Sequence, residues 1–345
     1  MAEDERERRL DGFVAAPGPL AAEHGPAVLP GRLRWAAAAA PAAAICYGLW
    51  QAHWLLNGAP SFGRFGTDLL VLPRWGVVVL CAAAAVIAGL LRMATRPRRP
   101  LVVAACGVSA ALLVSCPLLL LDVIGRLIPG LHIPHDLPGA LSRAACLTVA
   151  VLLSVAALSH RRRLWGGCPQ CGRTGEPSIP NPSAVPPRWA WWAAYGAVAA
   201  CCLRIAAQYG LGWGAPGKLT SAEAVSLAVF EAGFLLVGTV LPLSLVHRWG
   251  RVLPRWVPLV ARHRVPRWLV LAPASGISAG LLVYFGVGIG QLVGDTMHPK
   301  PHPGALPLSF LWVAMPAYWL WGLGLGAAAL SYHRATRRPC RRCGR

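Results

Sequence analysis

Trp268-Leu-Val-Leu-Ala-Pro-Ala-Ser-Gly-Ile-Ser-Ala-Gly-Leu-Leu-Val-Tyr-Phe-Gly-Val-Gly-Ile-Gly-Gln-Leu-Val293 contains no Asp, Glu, Lys or Arg. A bilayer core about 30 Å thick takes roughly 20 apolar helical residues to cross, and this run is longer than that. Leu101 to Leu127 is nearly as free of charge, with Asp122 and Arg126 four apart near its end. That spacing predicts a local pair on one helix face. Working outward, the same reading yields eight spans, at about 35–56, 69–91, 101–127, 139–158, 189–209, 223–246, 268–293 and 306–332. The segment 139–158 is the shortest and carries Arg143 near its start.

Composition agrees. Of 345 residues, 56% are hydrophobic and 13% charged, about half the charged share of soluble domains. Mean hydropathy is +0.51. An ordinary cytosolic enzyme, a disulfide-rich secreted module and a disordered chain are excluded. The fold class expected is all-α, a polytopic membrane protein.

Residues 1–34 differ, opening Met-Ala-Glu-Asp-Glu-Arg-Glu-Arg-Arg and continuing without hydrophobic periodicity. A cleavable signal wants a basic start with an apolar core close behind. The segment reads as a disordered, uncleaved cytoplasmic tail, with partner docking as the alternative.

Of 33 Lys and Arg, 26 fall on alternate connections. They lie in 1–34, 92–100, 159–188, 247–267 and 333–345, while the other connections carry few, including Arg64, Lys218 and Lys300. By the positive-inside rule both termini are cytoplasmic. The net charge of +20 then reports topology and attraction to anionic lipid headgroups. Nucleic acid is not an expected partner, because no connection is long enough for a folded basic domain.

The chain also duplicates itself. Ala156-Ala-Leu-Ser-His-Arg-Arg-Arg-Leu-Trp-Gly-Gly-Cys-Pro-Gln-Cys-Gly-Arg173 recurs as Ala328-Ala-Leu-Ser-Tyr-His-Arg-Ala-Thr-Arg-Arg-Pro-Cys-Arg-Arg-Cys-Gly-Arg345, identical at nine of eighteen positions. Pro138-Gly-Ala-Leu141 recurs as Pro303-Gly-Ala-Leu306, and Gly58-Ala-Pro60 as Gly214-Ala-Pro216. Four spans per half is an even number, so the expectation is two parallel four-helix repeats, 35–158 and 189–332. They are joined by a cytoplasmic linker, 159–188, and followed by a tail, 333–345.

Seven cysteines (Cys46, Cys81, Cys106, Cys116, Cys146, Cys201, Cys202) lie inside the expected spans and read as small packing residues. The other four form Cys168-Pro-Gln-Cys171-Gly and Cys340-Arg-Arg-Cys343-Gly. A two-residue spacer lets both thiolates of a turn face one ion, and four thiolates complete a tetrahedral zinc shell. Both sequences resemble zinc-ribbon knuckles. Dithiol redox chemistry and exposed reduced thiols are the other readings, the former disfavoured because both pairs follow helix C-termini.

On the opposite face, His132, His135 and Asp136 precede the first Pro-Gly-Ala-Leu, and Asp295, His298 and His302 the second. They suit either a transition-metal or proton site or polar capping of the spans. Within the membrane, Arg204 and Glu231 lie at similar depths on consecutive spans, so they could pair. Such a pair serves either transport or a helix-to-helix tie. Read through the Gly58 and Gly214 recurrence, Gly48 lies opposite Arg204, and Glu231 has no acidic counterpart.

The segment His247 to Arg267 interleaves Trp and Arg with Val and Leu, which suits a headgroup-level position. Its Trp249-Gly250 and Pro254-Arg255-Trp256-Val257-Pro258 runs resemble a family of uncharacterised actinobacterial multi-pass membrane proteins. The resemblance implies architecture and a bacterial plasma membrane, and no activity. Phosphate-loop, His-Glu-x-x-His and Gly-x-Ser-x-Gly motifs do not occur. Three functions stay open at this point: a non-enzymatic scaffold or interaction protein held by zinc, a small-solute or ion transporter, and a membrane thiol oxidoreductase.

Overall fold

The computed structural model describes residues 31–62, 66–94, 98–127, 136–164, 168, 186–211, 221–252, 265–298 and 307–337. Among these the regular structure is helical. In chain order the helices are α1 (Gly31–Asn57), α2 (Arg74–Met93), α3 (Arg99–Ser115), α4 (Leu119–Leu127), α5 (Leu137–Leu164), α6 (Arg188–Gly210), α7 (Ser221–Val246), α8 (Arg267–Met297) and α9 (Leu308–Ala335). A single 3₁₀ turn, Arg248–Gly250, follows α7.

Six of these, α2 and α5 to α9, are long and apolar enough to cross a membrane. Helices α3 and α4 make a seventh if counted as one span bent by 48°. The bend has a local cause. Pro117 has no N–H to give the Leu113 carbonyl, which instead accepts the Cys116 N–H and thiol at 3.3 and 3.4 Å. Beside the break, the Ser115 carbonyl accepts the Leu70 N–H at 3.3 Å. Helix α1 is long enough, but Tyr47, Gln51 and His53 dilute its alanines. Gly58, with a φ of 87°, ends it in the left-handed conformation that glycine adopts most readily.

The helices pack as two groups. In the first, α1 packs on α2 and α5, and α3 packs on α5 and α2. In the second, α6 lies between α7 and α9, and α9 also packs on α8. Among the described residues the groups meet where α3 and α4 touch α8, with Leu120 against Gly280. Small residues set the spacing, because helices in lipid gain most from close backbone approach. A Cβ on Gly324 would lie 2.5 Å from the Ala193 carbonyl, and one on Gly322 would lie 3.0 Å from Leu281 Cβ. So α9 presses α6 with one face and α8 with another.

Exposed tryptophans stand near helix ends: Trp35 on α1, Trp75 on α2, Trp189 and Trp192 on α6, Trp268 on α8. At the same end as Trp189, the His247 ring meets Trp191 edge-on at 4.8 Å and accepts or donates a hydrogen bond with the Tyr195 hydroxyl at 3.2 Å. Amphipathic rings gather at this level where helix ends meet a membrane surface.

Candidate functional site

Two polar centres lie inside the helix groups. The first sits at the end of its group where α1 finishes and α2 and α5 begin. Gln51, buried on α1, donates through Nε2 to Tyr47 Oη (2.9 Å), Asp68 Oδ2 (2.8 Å) and Ser142 Oγ (2.9 Å). Its Oε1 accepts from Arg74 Nε at 3.2 Å. Ser142 of α5 donates to the same Asp68 oxygen at 2.7 Å, and Arg74 Nη2 reaches the other one at 3.0 Å. Gly66, with a φ of 64°, and the Thr67 hydroxyl bonded to Leu69 O at 2.7 Å shape the turn that folds Asp68 inward.

Arg143, one residue after Ser142 on α5, is completely buried. Its Nη1 donates to both Asp122 oxygens of α4 at 2.9 and 2.8 Å. Its Nε donates to the Asp68 carbonyl at 2.8 Å and its Nη2 to the Thr67 carbonyl at 3.3 Å. The pairing expected of Asp122 with Arg126 is corrected: Asp122 turns inward to Arg143, while Arg126 is exposed. Local spacing favours the helix-surface partner, but the low dielectric between helices makes the buried guanidinium the stronger one. Asp136 lies 3.8 Å from Arg143 Nη2. Its carbonyl accepts the Ala140 N–H at 2.8 Å, so it stands at the start of α5. At Gly139 a Cβ would meet the end of the Asp136 carboxylate, which would have to shift to admit it.

Asp68 belongs to the α1–α2 connection. Burial alone would raise its pKa, but hydrogen bonds from Gln51, Ser142 and Arg74 outweigh that and hold it below the ordinary carboxylate value of 3.8. A carboxylate depressed in the fold stabilises it fully above the unfolded pKa, and this contribution is lost as pH falls through the folded one. Stability of the detergent-solubilised chain should therefore stay level in this respect down to about pH 4 and decline below it. Asp68→Asn should flatten that acid limb and cost about 1–3 kcal/mol at neutral pH. A chemical-denaturation series from pH 7 to 3 reads both.

The second centre joins α6, α7 and α9. Arg204 Nη1 donates to Glu231 Oε1 and Oε2 at 3.0 and 2.8 Å. The guanidinium carbon lies 5.0 Å from the Phe234 ring centroid and 5.4 Å from that of Tyr318, within cation–π range. Tyr318 stacks on Phe285 of α8 at 3.9 Å, and Trp321 meets Phe234 edge-on at 4.8 Å. Three buried polar atoms in this part of the group have no hydrogen-bond partner: Arg204 Nε, Gln208 Oε1 and Trp321 Nε1.

The two centres can be compared through one close approach in each helix pair. A Cβ on Gly48 would lie 3.0 Å from Cys81 Cβ, and one on Gly238 would lie 3.2 Å from Cys201 Cβ. These close approaches mark the same level of the α1–α2 and α6–α7 pairs. One turn past Gly48 stands Gln51, and one turn past Cys201 stands Arg204. Two turns before Cys81 stands Arg74, and two turns before Gly238 stands Glu231. Aligning the pairs on these two approaches sets Gln51 opposite Arg204 and Arg74 opposite Glu231, where the Gly58–Gly214 recurrence sets Gly48 opposite Arg204. At the other end, His160 Nε2 accepts the Arg98 N–H at 3.1 Å, and Tyr332, its partner in the eighteen-residue recurrence, donates to the Gly250 carbonyl at 3.0 Å.

Of the remaining expected site residues, Cys168 is half-buried, while Cys171, Cys340 and Cys343 lie outside the described residues. His132, His135 and His302 also lie outside them. Asp136 is turned into the first centre, whereas Asp295 and His298 are exposed at the end of α8. Among the described residues, no three His, Cys, Asp or Glu gather as a metal site. Gln51, Asp68, Arg74 and Arg143 were not singled out from sequence. The signal for Arg143 was present, since it is a charge inside an apolar run as Arg204 is.

No protein-family model matches the chain, and no curated protein and no solved structure is similar to it.

Proposed function

We propose that this chain is an integral membrane protein of eight spans in two parallel four-helix repeats, with both termini on the cytoplasmic side. It acts without catalysis, as a scaffold or interaction protein, and a Cys₄ zinc site from Cys168, Cys171, Cys340 and Cys343 staples its halves together. The observation that carries the reading is how the ionisable groups within the two helix groups are spent. Asp122 with Arg143, Asp68 with Arg74, and Arg204 with Glu231 are ties from one element to another, which hold a helix assembly together. The matching helix neighbours in the two groups support the repeat, and the tryptophans at helix ends support the membrane setting. Four thiolates are a donor set suited to zinc, and the Arg-rich flanks offset its charge and meet anionic headgroups.

Metal analysis of the detergent-purified protein, with free thiols counted before and after chelation, tests this. The expected result is about one zinc per chain and thiols released by the chelator. Cys168→Ser should lose the metal and melt earlier. Metal-free protein with two oxidisable thiol pairs would overturn the zinc staple in favour of dithiol chemistry.

A further inference from the structure

The amide at the heart of the first centre is met by the chain's own side chains, whereas the guanidinium at the heart of the second is met only in part. In the first, every polar atom of the Gln51 amide is engaged, by Tyr47, Asp68, Ser142 and Arg74. In the second, the matching register places Ala200 where Tyr47 stands and Ala314 where Ser142 stands. Neither alanine can bond to Arg204. Its Nε–H, the Gln208 Oε1 one turn along α6, and the Trp321 Nε1–H are all buried without a partner, each on a side chain at least nine-tenths buried. An unmet buried donor or acceptor costs about 1–3 kcal/mol, and a native structure rarely keeps such a group without something to meet it.

We infer that this centre is a binding site for a small uncharged solute of the amide or alcohol class. The atoms specify the chemistry. Two N–H groups ask for an acceptor and one carbonyl asks for a donor, so the solute carries both. The Arg204 charge is already neutralised by Glu231, so an ion entering would leave net charge in a low-dielectric setting, which is strongly disfavoured. The Phe234 and Tyr318 rings beside the guanidinium suit an apolar body. The site lies within the second repeat, not between the two.

The probe is propionamide, with propionate and propylammonium as charged molecules of similar shape. Ligand-observed saturation-transfer NMR on the full chain in nanodiscs should show saturable propionamide binding above empty discs. Neither charged analogue should compete. Gln208→Met keeps the volume and removes the acceptor, and it should weaken binding at least tenfold. Trp321→Phe, which removes the indole N–H together with part of the ring, should also weaken it and serves if the first variant does not fold. Absence of saturable binding, as for a centre filled by water, would overturn the inference. So would equal competition by propionate, or unchanged binding in both variants.

Discussion

Arg143→Leu is expected to be the most damaging single substitution in this chain. The guanidinium is completely buried and holds both Asp122 oxygens and two backbone carbonyls. Leucine would fill much of the space but leave the Asp122 carboxylate unpaired between helices. Removing one partner of a buried pair costs about 3–5 kcal/mol, because the other charge stays behind desolvated. Arg143→Lys should recover little, since one ammonium cannot reproduce a planar fork aimed at separate acceptors. Asp122→Asn combined with Arg143→Met should recover more than half of the loss, because no charge is stranded. Unfolding in mixed detergent and SDS micelles, followed by tryptophan fluorescence, measures all three. A loss below about 1 kcal/mol for Arg143→Leu would mean that α4 is not held through this contact.

Arg204 and Glu231 should behave differently when changed singly and together. Arg204→Met strands Glu231 and should cost about 3 kcal/mol. Glu231→Gln leaves a cation that still lies over the Phe234 and Tyr318 rings, so its cost should be smaller, about 2 kcal/mol. The double variant should return to within about 1 kcal/mol of the parent, with a coupling energy that cancels most of the single losses. Simple addition of the two losses would show that the pair does not act as a unit. The same micelle unfolding assay reads the cycle, independently of any solute.

Why Arg143 and Asp68 escaped the sequence reading has a physical answer. Arg143 stands within two turns of the start of its helix, where a charge is ordinarily excused as an interfacial anchor. Asp68 lies outside any helix, and nothing in a linear pattern says that a connection folds back between three helices. Asp122 had an oppositely charged residue four positions on, and helix spacing made that the nearer choice. Arg204 and Glu231 were easier, because each is the sole charge deep in its own apolar run.

Helical segments at the expected places follow from long apolar runs. They need nothing beyond the rule that backbone groups in hydrocarbon must bond within their own segment. The duplicated Ala-Ala-Leu-Ser…Cys-x-x-Cys-Gly endings and the alternation of basic connections are likewise properties of the chain as written. Register between helices is another matter. Sequence recurrence set Gly48 against Arg204, whereas the closest approaches of Gly48 to Cys81 and of Gly238 to Cys201 set Gln51 there. Which charges meet, and which buried atoms are left unmet, depends on side chains brought together from distant helices. Periodicity can say that a residue faces inward, but only packing decides what it finds there.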